Sequence, residues 1–216
     1  MWPFPSMLPV FFPLSLAIIT VLLQPSVGAA AETADVDIGL YALGAFPSDH
    51  GLFAQGGNPS DTRIANGAGA GLKVAVFPHF LGSIVGIGLE SSGHGSGITF
   101  SSPGAGSPPS TNLWIFNSMV NLTIRYPGKV FVPYIGVGGG YSSGVLTHAD
   151  IPGRSDRDFE GSWTLASQFF GGVQGNLTEK LFLFSEYKYA SANYHWEKLA
   201  LDFRSQYFLL GIGLRF

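Results

Sequence analysis

Apolar and polar side chains alternate along most of this chain, in segments of roughly ten residues that suit a tilted membrane-spanning strand. Eight such segments can be recognised. They cover residues 35–46, 68–77, 84–94, 112–126, 130–144, 163–177, 181–194 and 205–216. This pattern predicts an all-β fold, an eight-stranded antiparallel up-and-down transmembrane β-barrel.

The connections between the predicted strands alternate in length. The tight ones are residues 78–83, 127–129 and 178–180. The long ones, rich in Gly, Pro, Ser and Asp, are residues 47–67, 95–111 and 145–162, and a shorter one lies around residues 197–204. Outer-membrane barrels combine short periplasmic turns with longer external loops. We therefore expect the three long connections to face the outside of the cell.

The two faces of each predicted strand differ in chemistry. One face of the last segment carries Phe208, Leu210, Ile212, Leu214 and Phe216, and the other carries small residues and Arg215. Six further segments divide in the same way, whereas Phe169 and Phe170 leave the sixth ambiguous because they are adjacent. The charges within strands lie opposite the apolar row, which predicts that they face the lumen. They are Asp37, Lys73, Glu90, Arg125, Glu186, Lys188 and Arg215.

These seven residues suggest what the lumen does. Eight strands enclose a space just wide enough for side chains to fill, and an unpaired charge buried there is costly. Four positive and three negative groups nearly neutralise one another. We therefore expect an ion-pair network that plugs a small, polar lumen, unlike a packed core. The alternative is a narrow porin-like channel for small solutes. A soluble β-sandwich would place the apolar rows inside and the charges in water, and it is the less favoured fold.

Composition supports a membrane protein. Hydrophobic residues make up 46% of the chain and charged residues only 12%, whereas a soluble domain carries roughly 25% charge. The net charge of −3 gives no reason to expect nucleic acid as a partner. The chain has no cysteine, so disulfides and thiolate metal sites are excluded, and no cofactor is predicted.

The N-terminal segment has the composition of an export signal. Residues 14–23 are apolar and lie between Pro13 and Pro25, but they are too few to span a bilayer as a helix, which needs about 20 residues. Small residues follow at 27–31, as at a cleavage site. We predict a cleaved signal peptide over residues 1–30 and a barrel domain over residues 31–216, although residues 2–13 carry no Lys or Arg.

The histidines and one serine raise the question of chemistry. His94, His148 and His195 fall at the predicted outer strand ends and His50 in the first loop. None has metal-type spacing, so we expect solvent-exposed loop histidines and no metal site.

A lipid A-modifying hydrolase is the enzymatic alternative, and its nearest motif is residues 189–193. There Tyr189 stands where a general base two residues before Ser191 would be needed. We expect His195 on the opposite face from Ser191, and hence no enzyme.

Aromatic residues lie near the proposed strand ends, as in the interfacial girdles of membrane barrels. They are Phe46, Phe77, Phe80, Trp114, Tyr126, Phe131, Trp163, Tyr194 and Trp196.

Three segments carry a resemblance to a known family: residues 133–141 (PYIGVGGGY), residues 184–189 (FSEYKY) and the terminal strand ending at Phe216. With these segments the chain resembles the OmpA/Opa-type small outer-membrane β-barrel superfamily of Gram-negative bacteria. The resemblance implies an integral protein of the cell outer membrane, surrounded by outer-membrane lipids. It also implies that Phe216 is part of the signal read by the barrel-assembly machinery, and that Glu186 and Lys188 join the lumen network.

The motifs identify a fold rather than an activity, so a structural or surface-interaction role is expected from the external loops. On this basis the candidate partner is an extracellular molecule bound by the loops. The mixed-charge segment with Arg154, Asp156, Arg157, Asp158 and Glu160 is a solvated candidate contact.

Overall fold

The computed structural model describes residues 33–48, 52–54, 63–99, 110–147, 159–196 and 199–216. The predicted signal peptide and most of the predicted external loops, including His50, His148 and residues 154–158, lie outside these ranges. Within them, no helix has the length and apolar character needed to cross a membrane.

Ten β-strands and one short 3-10 helix make up the described chain. The strands are β1 (Ala34–Pro47), β2 (Leu52–Ala54), β3 (Arg63–Ile64), β4 (Gly67–Pro78), β5 (Val85–Thr99), β6 (Ser110–Arg125), β7 (Phe131–Thr147), β8 (Phe159–Asn176), β9 (Leu181–His195) and β10 (Leu199–Arg215). The 3-10 helix, His79–Leu81, lies in the turn between β4 and β5.

Eight of the strands form one closed barrel, and each pairs antiparallel with its neighbours. The order is β1-β4-β5-β6-β7-β8-β9-β10, and β10 returns to pair with β1. In that closing pair Asp37 lies opposite Arg215. The backbones of Val36 and Phe216 exchange two hydrogen bonds of 2.9 Å. The predicted eight-stranded up-and-down barrel is confirmed.

The barrel has a turn end, with the tight connections, and a loop end, where the strands run further than the sequence pattern predicted. β5 continues to Thr99 and β8 begins at Phe159, so the connections at this end are shorter than expected.

The two short strands extend the wall at the loop end. From Pro47 to Leu52 the chain advances five residues while β10 advances four, from Ser205 to Leu201. β2 therefore continues the pairing of β1 with a one-residue offset, as a β-bulge would produce. β3 continues β4 against β5 in the same manner.

The outer face carries the apolar rows that the alternation predicted. On β6 they run from Trp114 through Val120 to Tyr126, all exposed. These twelve steps span about 40 Å along the strand at ~3.3 Å each. A tilt of roughly 40° reduces this to about 30 Å, the thickness of a bilayer core. On β8, Phe169 is 54% exposed and Phe170 only 6%, which resolves the ambiguous strand.

The aromatic girdle prediction is correct in part. Trp114, Trp163, Tyr126 and Phe131 are exposed on the outer face near the strand ends. Phe77, Tyr194 and Trp196 are instead buried inside the barrel, so their assignment to the girdle was wrong. Their parity within the strands places them on the inner face, where they pack against other lumen side chains.

Candidate functional site: the barrel lumen

The charged side chains of the lumen form two layers. The lower layer, nearest the turn end, contains Asp35, Asp37, Arg125 and Arg215. The middle layer contains Lys73, Glu90, Glu186 and Lys188. All seven residues singled out from the sequence lie in one layer or the other.

Asp37 is the centre of the lower layer. Arg215 donates to both of its carboxylate oxygens, at 2.7 Å from Nε to Oδ1 and 2.9 Å from Nη2 to Oδ2. Arg125 donates from Nη1 to Oδ2 at 3.0 Å. Such fork-like contacts between guanidinium and carboxylate are among the stronger protein ion pairs. The layer thus ties β1 to both β6 and β10.

Asp35 belongs to the same layer, although it was not among the predicted residues. Its carboxylate accepts a hydrogen bond from Arg125 Nη2 and lies 3.0 Å from His79 Nε2. Arg125 Nε also donates to the carbonyl of Ser83 at 2.7 Å. The lower layer therefore also fastens the turn between β4 and β5. Asp35 shares the parity of Asp37, and that signal was present in the sequence.

In the middle layer, Glu186 is held by two donors from across the barrel. Lys73 Nζ lies 2.8 Å from its Oε2 and the Tyr134 hydroxyl 2.9 Å from the same atom. Lys188 Nζ is 3.6 Å from its Oε1. These contacts connect β4, β7 and β9.

Glu90 is the second anion of the middle layer and the most heavily hydrogen-bonded. Lys188 and the Tyr41 hydroxyl both donate to its Oε1. Asn121 and Gln168 donate to its Oε2 at 2.8 and 3.0 Å. Buried charge is tolerated when its remaining lone pairs are satisfied in this way.

Aromatic rings support the lumen cations. Lys73 Nζ lies 3.9 Å from the Phe184 ring centre, and Arg125 Cζ lies 3.7 Å from that of Phe77. Such contacts attract a cation to the ring face. The rings fit because glycines face them: a Cβ at Gly211 would collide with Phe184, and one at Gly86 with Phe77.

A small cavity separates the two layers. Its volume is about 60 Å³, and its lining includes Asp37 and Arg125 below and Lys73, Glu90 and Glu186 above. A water molecule needs roughly 10–15 Å³ of such space, so the cavity has room for a few waters.

Each layer is electrically neutral by itself. The lower layer contains two carboxylates and two guanidinium groups. The middle layer contains two carboxylates and two ammonium groups. Because every charge has an opposite partner in its own layer, neither layer provides a free charge to attract an ion into the lumen.

Above the middle layer, towards the loop end, the inner face is mainly apolar, although buried polar residues such as Ser96, Ser142 and Ser205 lie among the apolar ones. The apolar residues include Leu43, Ile98, Leu113, Ile115 and Leu146, all buried. The expectation of a small, polar inner surface throughout was therefore wrong. On β6, Leu113 and Ile115 lie on either side of Trp114, which marks the outer end of the apolar band. A barrel wall surrounded by water on its outside is stabilised by an apolar core inside. The inner surface therefore changes there from mainly charged to mainly apolar side chains.

Five rings form a contiguous row in this apolar part, which we call the aromatic cap: His94, Tyr194, Trp196, Phe203 and Tyr207. Trp196 stacks on Tyr194 at 5.5 Å between ring centres. Tyr194 contacts Phe203 at 6.0 Å. His94 lies 6.3 Å from Phe203 and 5.2 Å from Tyr207. The Tyr194 hydroxyl is hydrogen-bonded to Ser142.

Two histidine expectations need correction. His94 is not an exposed loop residue, because it lies within β5 with only 1% of its surface exposed. His195 and Ser191 were expected on opposite faces of their strand, but they have the same parity and both lie in the outward row of β9. Four residues of strand separate them by about 13 Å, too far for proton transfer.

No group of three or more His, Cys, Asp or Glu side chains suited to a metal ion occurs in the described ranges.

The closed barrel, its apolar outer band and its polar lumen define the class of small integral outer-membrane β-barrel proteins. Residues 14–216 match the family described as outer membrane protein beta-barrel domain, and the chain belongs to that family. By the general rule for such barrels the turn end faces the periplasm and the loop end faces outward. The resemblance to small outer-membrane barrels and the predicted outer-membrane location are confirmed.

Solved structures with the same fold have low sequence identity to this chain. OprG from Pseudomonas aeruginosa is 16% identical with a TM-score of 0.55, covering 85% of this chain and 96% of OprG. Ail, the attachment invasion locus protein of Yersinia pestis in complex with the heparin analogue sucrose octasulfate, is 14% identical with a TM-score of 0.51, covering 85% and 99%. At such identities the likeness concerns the fold. No match was found among curated proteins.

Proposed function

We propose that this protein is a closed, non-enzymatic outer-membrane barrel that acts through its external surface rather than as a pore. The observation that carries the proposal is the stacking of three obstructions along the lumen. The lower layer, the middle layer and the aromatic cap each place largely buried side chains in the lumen. A path for solutes would have to cross all three.

The chemistry of the obstructions opposes conduction in two ways. The ionic layers are neutral and hydrogen-bonded, so an entering ion gains no free countercharge and breaks existing pairs. The aromatic cap places buried rings in the lumen, and apolar constrictions block ions by dewetting. The narrow channel is the alternative, and the cavity between the two layers is the observation in its favour.

The test is single-channel recording in planar bilayers with refolded protein, whose folding is verified by a heat-dependent gel shift. We expect no steady conductance steps from folded protein at neutral pH. A denatured sample of the same preparation controls for leaks caused by detergent. Reproducible steps that disappear with the folded band would refute the closed barrel and favour the channel.

The external loops are the proposed contact surface for a partner. Strands β5 to β10 and the short strands β2 and β3 extend the wall at the loop end, and this wall holds the loop bases in place. The apolar packing inside it makes it a firm support. The segments predicted as external loops, 47–67, 95–111 and 145–162, are where a search for an extracellular partner should begin.

We also propose that Phe216 contributes to recognition by the barrel-assembly machinery. Phe216 and Leu214 lie in the same outward row, and both are 46% exposed. We expect Phe216→Ala to reduce the assembled fraction in cells severalfold, and Leu214→Ala to change it little. The heat-dependent gel shift of isolated outer membranes measures this fraction. Equal losses in the two variants would assign the effect to lost apolar surface instead of recognition.

A further inference from the structure

His94 is an unusual residue for the place it occupies. It is almost fully buried, and within the described part of the chain neither Nδ1 nor Nε2 has a hydrogen-bond partner. Buried polar groups in folded proteins are normally paired. An unpaired neutral imidazole can be tolerated between rings, but a protonated one there would be an isolated buried charge, which is far more costly.

Among the described residues, the surroundings of His94 provide no counter-ion. Gly69 on β4 and Ile115 on β6 lie opposite it in register. From β10, Phe203 and Tyr207 pack against its ring. Tyr207 is the titratable group facing it among these contacts, and Tyr194 of β9 lies one ring further away. Neither tyrosine carries charge at neutral or acidic pH.

The charges nearest along the inner face are already engaged. Glu90 lies two inward positions below His94 on the same strand, where Lys188, Tyr41, Asn121 and Gln168 all donate to it. Lys188, opposite Tyr207 in register, would repel an imidazolium. A proton on His94 therefore finds no compensation while the cap remains closed.

Buried polar atoms that lack hydrogen-bond partners favour opening of the cap, because water can bind them once the cap is open. Of the five buried side-chain atoms without a partner among the described residues, four lie in or beside the cap: both His94 nitrogens, Ser96 Oγ and Trp196 Nε1. Water entering an opened cap would hydrogen-bond all four. In the closed state these four atoms therefore lack the hydrogen bonds to water that they can make in the open state.

We propose that the aromatic cap is an acid-sensitive closure in which protonation of His94 opens the external third of the lumen. The direction follows from proton linkage. The closed cap holds His94 neutral, whereas an imidazole exposed to water binds a proton near pH 6.5. The closed state is therefore fully favoured above that pH. Below it, the ratio of open to closed molecules rises roughly tenfold per pH unit.

Opening of the cap does not unblock the two ionic layers. The lower and middle layers lie nearer the turn end and are paired independently of His94. Acid should therefore admit water and small molecules to the external third of the lumen from outside the cell, without creating a path through the membrane.

Trp196 is the reporter for the test. The chain has four tryptophans, so a W2F/W114F/W163F background leaves Trp196 alone. Its quenching by acrylamide, a neutral probe whose charge does not vary with pH, is measured on refolded protein in micelles between pH 7.5 and 4.5. We expect weak quenching at pH 7.5 and a rise of at least severalfold below pH 6. The heat-dependent gel shift should remain that of a folded barrel.

Two substitutions at His94 and one control decide the assignment. His94→Phe and His94→Gln should both remove the acid-dependent rise, and the second serves if the first fails to fold. His195→Gln, at an exposed outward position of β9, should retain it. Unchanged quenching of the parent protein at pH 4.5, or a rise that persists without His94, would overturn the inference.

The inference and the proposed function can fail separately. Conductance is recorded on the same samples at pH 7.5 and 4.5. Acid-induced quenching without conductance supports both. Conductance at neutral pH would refute the closed barrel. The acid dependence of Trp196 quenching would then still test the role of His94 separately.

Discussion

Replacing Lys188 with Met is expected to lower the free energy of unfolding by about 3–5 kcal/mol, the usual cost of removing one partner from a buried ion pair. Lys188 is only 6% exposed at its side chain and is shared between Glu90 and Glu186. Its loss leaves two carboxylates in the middle layer with Lys73 as their only cation among the described residues. Urea unfolding of the refolded protein in micelles measures the change.

Two further variants separate the charge from the packing of Lys188. Glu90→Gln combined with Lys188→Met restores neutrality, so the double variant should be more stable than Lys188→Met alone. Lys73→Met should cost less, because the Lys73 side chain is 21% exposed and the remaining charge is better screened. A Lys188→Met variant within about 1 kcal/mol of the parent would show that the middle layer contributes little to stability.

Replacing Tyr194 with Ala is the second large effect, also about 3–5 kcal/mol, as for other buried aromatic residues cut back to Ala. Tyr194 is 0% exposed and contacts Trp196 and Phe203. Its removal leaves a void in the middle of the aromatic cap, which the surrounding strands can fill only in part. The same urea unfolding experiment measures the loss.

The phenylalanine variant at this position isolates the hydroxyl group. Tyr194→Phe keeps both ring contacts and loses only the hydrogen bond to Ser142, so it should cost about 1 kcal/mol. Similar losses in Tyr194→Ala and Tyr194→Phe would mean that the hydroxyl, and not ring packing, holds the cap together.

Strand alternation predicted the barrel and the lumen charges because parity is a local property. A residue two positions from Asp37 shares its face wherever the strand lies, so Asp35 was also within reach of this reasoning. Alternation could not assign the faces of the strand that contains Phe169 and Phe170, because two large apolar residues in succession fit either parity. Only the pairing with β7 and β9 determines which of them faces inward.

The aromatic cap could not be predicted in the same way. Parity shows which residues share a face, but not where the membrane ends along a strand. The sequence pattern places His94, Tyr194 and Trp196 at strand ends because the following residues look like loop sequence. β5 in fact continues to Thr99, whereas β9 ends at His195, close to its predicted end. In both strands the inner face changes near this end from one suited to a polar lumen to one suited to an apolar core. That change depends on the surrounding solvent, which the alternation does not encode.

The neutrality of each ionic layer has a consequence for the response of the barrel to voltage. A membrane potential exerts force in proportion to the charge that moves, about 2.3 kcal/mol per elementary charge for each 100 mV. A layer with two cations and two anions held together moves no net charge when it shifts as a unit. Neither ionic layer therefore supplies a gating charge, and at neutral pH we expect potentials of either polarity to leave the two layers in the same arrangement.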